Sequence, residues 1–439
     1  MAEGDSLLAG TAPDEGAAMM ALIEELYPIC RSITGDGVRR TLAILERQVP
    51  LRVHEVPSGT PAFDWTVPKE WNIRGAFIAT LDGRRVVDFA DHNLHILQYS
   101  VPVDRVVPLE ELQAHLHSLP ETPDWIPYRT AYYSETWGFC LTQRQRDALV
   151  EPSYRVVIDS TLADGHLTYG ELVLRGASDE EVLFSCHSCH PSLANDNLAG
   201  IAVAVRLARH LMAAKRRFTY RFLFIPGTIG SLTWLASHED IVPRIRHGLV
   251  LSCLGDAGAT TYKRSRRGDA AIDRYVEHVL RHDGAPYRIT PFIPYGYDER
   301  QYCSPGFDMP VGCFMRSPNG AYPEYHTSAD DLGLVRPDRL ADSLEKLKRI
   351  VRVIEGDVIY RSLSPKGEPQ LGKRGLYRPI GGQKEAGGFD QMTLLWVLNL
   401  ADGRHSLFDM AERSGLPFAS IEAAAGALRE KGLLAEIAA

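Results

Sequence analysis

The apolar positions of this chain change period several times, and each change marks a different kind of element. "AAMMALIEELYPICRSIT" spaces its apolar residues at helical intervals. "GDGVRRTLAILERQV" repeats that spacing as a second helix, opened by Gly35 and Asp36. From about residue 50 to 135 the pattern shortens. "LRVHEVPSGT", "RGAFIATL", "RVVDFA" and "HILQYSVPV" are β-rich runs separated by turns such as Asp82-Gly83, which predicts a small, mostly β module. Trp65, Trp71, Trp125 and Trp137 lie in or beside it. They read as core or interdomain packing, with a substrate-facing wall as the other reading.

Residues 152–360 alternate strand and helix patterns. "SYRVVIDSTL" and "GHLTYGELVLRG" predict a β-hairpin pair. "EVLFSCH" is a compact apolar run of the kind buried on both faces of a sheet. "LAGIAVAVRLARHLMAA" follows as an amphipathic helix, "TYRFLFIPG" as the next buried strand, "SLTWLASHED" as a helix and "HGLVLSCLG" as another strand. Such strand–helix–strand units predict a mainly parallel sheet with helices on both faces. "SLSPKGEPQLGKRG" then reads as a linker, and the three helical segments beyond it have the rhythm of a winged helix. The expected division is an α/β domain of residues 17–48 and 136–361, a β-rich insert of residues 49–135, and a winged-helix-like domain of residues 376–439. Residues 1–16 are small and polar and read as disordered.

Composition narrows the classes. The chain has 439 residues, 45% hydrophobic and 24% charged, with a net charge of −8. That balance fits a globular protein and argues against a general nucleic-acid binder. No apolar run approaches the roughly 18 residues that span a bilayer, and the acidic N-terminus lacks the pattern of a secretory signal. Seven scattered cysteines suit free thiols in a reducing compartment better than a disulfide framework. The expected location is the cytoplasm, with no membrane partner. The oligomeric state stays open, self-association included.

The chemistry concentrates in "SCHSCHPSLANDNLAG", residues 185–200. With a strand before it and a helix after it, this loop sits at the carboxyl end of a central strand, where open α/β sheets bind ligands. His187, His190 and Asp196 share that rim. Imidazole and carboxylate are ordinary zinc ligands, and a catalytic zinc keeps three protein ligands and one open position. "PEYHTSADDLG" offers His326 as a third ligand from elsewhere. Other readings compete. Cys186 and Cys189 form C-x-x-C, which could be redox-active or half of a zinc site, although no second C-x-x-C exists. His187 alone reads more readily as a packed or hydrogen-bonding histidine. Asn195 and Asn197 read as turn and cap residues that hold the loop.

"CHPSLANDNLAG", "FLFIPGTIGS", "DERQYCSPGFDMP" and "PEYHTSADD" occur in this order. Together they resemble a bacterial family of aminopeptidase-like proteins, themselves similar to zinc-dependent aminopeptidases of the phosphorylase/hydrolase-like α/β fold. The resemblance extends to "VPSGTPAFDWTVPKEWNI" and "WIPYRTAYYSETWGFCL" in the inserted module, and to the winged-helix tail. It implies an α/β zinc-aminopeptidase fold with an inserted β module and a C-terminal winged helix. It also implies metal ligands at His190, Asp196 and His326, with His187 as the second choice for the early histidine.

The departures matter as much. The resemblance implies Pro-Glu-Thr-Ile-Gly-Ser after the next strand, where this chain has Pro226-Gly227-Thr228-Ile229-Gly230-Ser231. Glycine cannot accept a proton. A further carboxylate ligand expected near "VLSCLG" is replaced by Ser252 and Cys253. One zinc ion is therefore expected rather than two. Asp298, Glu299 and Glu324 are the carboxylates that could take over the catalytic base.

"YGYDERQYCSPG" reads either as a solvated loop or as a rim of the site, in which Arg300 could grip a substrate carboxylate. Asp298 or Glu299 could equally bind an α-ammonium. Lys263, Arg264, Arg266 and Arg267 read as a solvated face or as an anion-binding edge, with Tyr262 beside them. The expected substrate is a small amino-acid- or peptide-like amide, broken or formed with zinc. The rival readings are a catalytically silent binding or scaffold protein and, less favoured by its charge, a winged-helix DNA regulator.

Overall fold

A computed structural model describes residues 14–376 and 391–437. The tract expected to be disordered, residues 1–16, falls outside this range except for its last three residues, which open the first helix. The described chain divides into two compact units. The first runs to Asp273 and resumes over Pro286–Glu345; the second comprises Arg274–Ala285 and the chain from Lys346 onward.

Helices α1 (Asp14–Leu26) and α2 (Asp36–Glu46) begin the first unit, followed by strand β1 (Arg52–Pro57). Strands β2 (Glu70–Ala79), β3 (Arg85–Asp88), β4 (Val103–Pro108) and β5 (Ser153–Ala163) form an antiparallel sheet in the order β3-β2-β5-β4. The chain then enters a large sheet with β6 (His166–Leu174), β7 (Glu181–His187), helix α3 (Gly200–Met212), β8 (Thr219–Ile225), helix α4 (Ile229–Ser237) and β9 (Ile245–Leu251). Strands β10 (Thr260–Lys263), β11 (Tyr287–Thr290) and β12 (Val311–Met315) complete it, in the order β1-β6-β8-β7-β9-β12-β10-β11. The four central strands, β8, β7, β9 and β12, are mutually parallel.

The expected hairpin of "SYRVVIDSTL" and "GHLTYGELVLRG" does not form. β5 lies between β2 and β4, whereas β6 lies between β1 and β8. Burial explains the separation. β5 alternates buried and exposed positions, as suits a sheet with one wet face, while β6 is buried along almost its whole length. β1 falls inside the 49–135 stretch yet pairs with β6 as the edge of the large sheet. In the small module Trp71 and Trp137 are buried against Tyr99 and His115, whereas Trp65 is half exposed.

β7 and β8 are buried at every position, which is why both read as unbroken apolar runs. Arg221 of β8 is the exception that must be neutralised. Its Nε and Nη2 donate to Glu181 at 2.7 and 3.0 Å, and its Nη1 pairs with Glu171. The indole Nε1 of Trp234 donates to Glu171 at 3.2 Å and His54 Nε2 lies 3.0 Å from it. Such a group stabilises only when complete, because removing one partner strands the others in low dielectric.

In the second unit, helices α5 (Gln391–Leu400), α6 (Leu407–Ser414) and α7 (Phe418–Glu430) pack with a three-stranded sheet of β13 (Ile359–Ser362), β14 (Asp402–Ser406) and β15 (Leu434–Glu436). Ser406 caps α6 through a reciprocal bond with Asp409, and Gly415 ends it in the left-handed conformation. Among the described residues no helix is long and apolar enough to cross a membrane.

Arg221→Met is predicted to destabilise the first unit by about 3–5 kcal/mol, by leaving Glu171 and Glu181 buried and uncompensated. Thermal unfolding followed by circular dichroism checks this. A melting temperature equal to that of the unaltered chain would mean that Arg221 does not neutralise the two glutamates.

Candidate metal centre

β7 ends at His187, and the chain turns through residues 188–199 before α3 begins at Gly200. Every residue of that turn is buried, so its polar backbone must find partners inside the protein. The side chains of Asn195 and Asn197 tie the turn to the end of β9 and the segment that follows it, residues 251–256. Gly255 N donates to Asn195 Oδ1 at 2.9 Å, and Asn195 Nδ2 donates to Asp256 Oδ2 at 2.9 Å. Asn197 Nδ2 donates to the Leu251 carbonyl at 2.9 Å, and Cys253 N donates to Asn197 Oδ1 at 3.2 Å. Asp330 accepts from the backbone N–H groups of Asn195 and Asp196 at 2.6 and 3.1 Å. The Asp196-Asn197 peptide is cis. Arg31, fully buried, donates Nε to the His190 carbonyl at 3.1 Å.

These bonds hold Asp196, which has no exposed surface, at the centre of an imidazole cluster. His187 Nε2 lies 2.8 Å from its Oδ1. His326 Nε2 lies 3.0 Å and His190 Nε2 3.9 Å from its Oδ2. The Tyr297 hydroxyl donates to Oδ2 at 2.6 Å. The donor atoms of His187, His190 and Asp196 all lie within 4.8 Å of one another. A tetrahedral zinc with bonds near 2.05 Å needs donors about 3.3 Å apart, and the spacings here bracket that value. His326 Nε2 also faces this carboxylate, 3.0 Å from Oδ2, and helps hold it ionised.

The electrostatics agree. Burial by itself would push the Asp196 carboxyl up, but the imidazoles of His190 and His187 outweigh it and hold the group well below the usual range. Burial holds His190 well below the usual imidazole value, reinforced by His187, His326 and Arg31 and opposed by Asp196. A neutral His190 and an ionised Asp196 are the protonation states that ligate metal. The Nδ1 of His190 sits 3.3 Å from Cys189 Sγ, which fixes the ring. Burial pushes the Cys189 thiol up to about 12 and Cys186 further. Neither is a ready thiolate, which disfavours the redox reading of the C-x-x-C pair. All seven cysteines are free.

His326 reaches the site with φ of 57°, held by its carbonyl accepting from Tyr128 N at 2.8 Å and by Tyr325 stacked on its ring at 3.9 Å. Beside His190 a pocket of about 220 Å³ opens, with Gly227, Tyr297, Arg300, Asn319 and Tyr325 in its wall. A Cβ on Gly227 would lie 3.1 Å from His187 Cβ and 3.9 Å from Asp298 Oδ1. Asp298 is fully buried; Ser231 Oγ donates to its Oδ1 at 2.9 Å and its Oδ2 has no partner among the described residues. Burial pushes its carboxyl up to about 7.

Glu299, Lys263, Tyr262 and Arg264 are engaged elsewhere. Glu299 binds Lys263 Nζ at 2.7 Å and accepts from Tyr297 N at 3.1 Å, so this pair braces the loop that carries Tyr297. The Tyr262 hydroxyl is buried and donates to Asp273 at 2.7 Å. Arg264 donates to the Gly268 carbonyl. Glu324 is half buried, and its carbonyl accepts from the Thr327 amide and hydroxyl. Tyr297 and Asp330 are the functional neighbours that sequence reasoning passed over. Asp330 was detectable as the end of the "HTSAD" run beside His326. Tyr297 carried no signal beyond lying next to Asp298.

A family profile described as a domain of unknown function, DUF4910, matches residues 20–357, and a winged helix-turn-helix profile matches residues 358–436. The chain is 51% identical over 421 residues to a putative polysaccharide biosynthesis protein with an aminopeptidase-like domain from Clostridium acetobutylicum, covering 96% of both chains. It is similar to the crystal structure of a putative peptidase from the same organism, with a TM-score of 0.92 and 48% identity over 99% of this chain and 98% of that one. A zinc aminopeptidase from Bacillus subtilis shares the fold alone, at 12% identity and a TM-score of 0.57 over 77% of this chain and 95% of that one. The buried histidine–aspartate cluster at the end of a parallel sheet, and these likenesses, lead to one conclusion: the chain belongs to the DUF4910 family, an aminopeptidase-like α/β domain joined to a C-terminal winged helix.

Proposed function

We propose that this protein is a single-zinc enzyme acting on the amide bond of a small amino-acid- or peptide-like substrate. The carrying observation is that His190 and His326 both face Asp196 Oδ2, at 3.9 and 3.0 Å, with a pocket alongside. These three would hold the ion. His187, bonded to the other oxygen of Asp196, is a positioning residue that turns Oδ2 toward the shared point. When bound, zinc supplies Lewis acidity to a carbonyl oxygen.

The chain's own groups account for the remaining work. Asp298 is the proton acceptor in this proposal, since Gly227 offers none. Its Oδ1 lies just beyond the bare face of Gly227, and Ser231 fixes its orientation. A carboxyl held near neutrality by burial can both take and return a proton at the working pH. Tyr297 donates to Asp196 and lies 2.7 Å from the Tyr325 hydroxyl, which orders the wall against which a substrate would rest. The rival reading, a silent binding protein, draws on Gly227 as the position from which the expected base is missing.

Full-length protein is expected to retain one zinc per chain by plasma mass spectrometry, and Asp196→Asn or His326→Ala to lower zinc affinity at least about 10-fold. On a panel of aminoacyl amides and N-acyl amino acids, Asp298→Asn is expected to lower kcat about 10²–10⁴-fold with zinc content unchanged. The unaltered enzyme should lose rate as pH falls through about 7, because a raised carboxyl is protonated below that value and cannot accept a proton. Zinc retained without turnover on any substrate, and no activity restored by Gly227→Glu, would favour the silent reading.

A further inference from the structure

The pocket beside His190 has an unusual balance of charge. Nine residues line it, and none is acidic. Its one formal charge is the guanidinium of Arg300. Two acids precede Arg300 in sequence, and neither is among the residues that line the pocket. Glu299 is bound by Lys263 and by the Tyr297 amide. Asp298 takes its hydrogen bond from Ser231 and forms no ion pair with Arg300. Among the described residues Arg300 has no carboxylate partner, and its Nε is buried without a hydrogen bond. A guanidinium without a direct ion-pair partner in a concave site is a receptor for a planar anion.

Gly227 lines the same wall. The resemblance implied a glutamate there, whose charge would have opposed that of Arg300. Its absence leaves the wall positive. A wall without a lining carboxylate offers no ion-pair partner to a free α-ammonium, the group an aminopeptidase must accept.

We infer that this pocket selects substrates presenting a carboxylate to Arg300 and disfavours those presenting a free amine. The substrate class is then an N-acylated amino acid or a peptide held by its carboxylate end. This deepens the proposed amide chemistry and rests on His190 being part of the reaction centre. Arg300 is the specificity-determining residue of this reading.

Isothermal titration of the full-length protein, zinc-loaded and metal-free, tests it with N-acetylglycine, N-acetylglycinamide, glycinamide and inorganic phosphate. N-acetylglycine should bind at least about 10-fold more tightly than either amide, and more weakly as salt rises. Arg300→Gln should remove that preference, and Arg300→Lys should restore part of it, with melting temperatures reporting intact folding. Glycinamide binding as well as N-acetylglycine, or a preference unchanged in Arg300→Gln, overturns the inference. Phosphate binding more tightly than N-acetylglycine, with the same dependence on Arg300, overturns it in favour of a phosphoryl group. Zinc binding with no effect of Arg300→Gln would sink this inference alone. An Arg300-dependent carboxylate preference in a protein that takes up no zinc would sink the metal reading alone.

Discussion

The carboxylate of Asp196, enclosed by three histidines, is the constraint around which the first unit is arranged. An ionised group without solvent contact is costly in low dielectric, so every neighbouring element contributes to holding it. β7 supplies His187, the loop after it His190, and the segment after β12 His326. Asp330, Asn195 and Asn197 secure the backbone on which Asp196 sits. A cluster with this much hydrogen-bonding support around one carboxylate is what a preorganised cation site requires.

The large sheet explains why the cluster forms where it does. Four parallel strands buried on both faces end at one rim, and loops leaving that rim can meet without crossing the core. Side chains distant in sequence, at 190, 196, 297, 298 and 326, reach one small volume this way. The buried triad of Arg221 on β8, Glu181 on β7 and Glu171 on the neighbouring β6 lies in the same sheet. There, charge is neutralised within the protein. At the rim, Arg300 is not, and that contrast separates a structural ion pair from a group available to a ligand.

Much of this was legible in the sequence, for physical reasons. Unbroken apolar runs such as "EVLFSCH" reported strands covered on both faces, and the alternation with helices reported a parallel sheet. The histidine–aspartate cluster could be read because its residues stand at loop positions after such strands, where ligand chemistry rather than packing decides residue type. Pairing partners were harder. Adjacent β-rich runs at 153–163 and 166–174 looked like a hairpin, yet they enter different sheets, because burial and not proximity chose their neighbours. Roles inside the charged loop were harder still. Asp298, Glu299 and Arg300 are consecutive, and only the fold shows that one is buried behind Gly227, one is bound to a lysine, and one borders the pocket.

The convergence of three distant side chains on one ion is tested most directly by anomalous diffraction from crystals of the full-length protein grown with zinc. Data collected above the zinc edge should show a single peak within about 2.0–2.2 Å of donor atoms from His190, Asp196 and His326. Zinc seen elsewhere in the crystal with no density at this point would contradict the account.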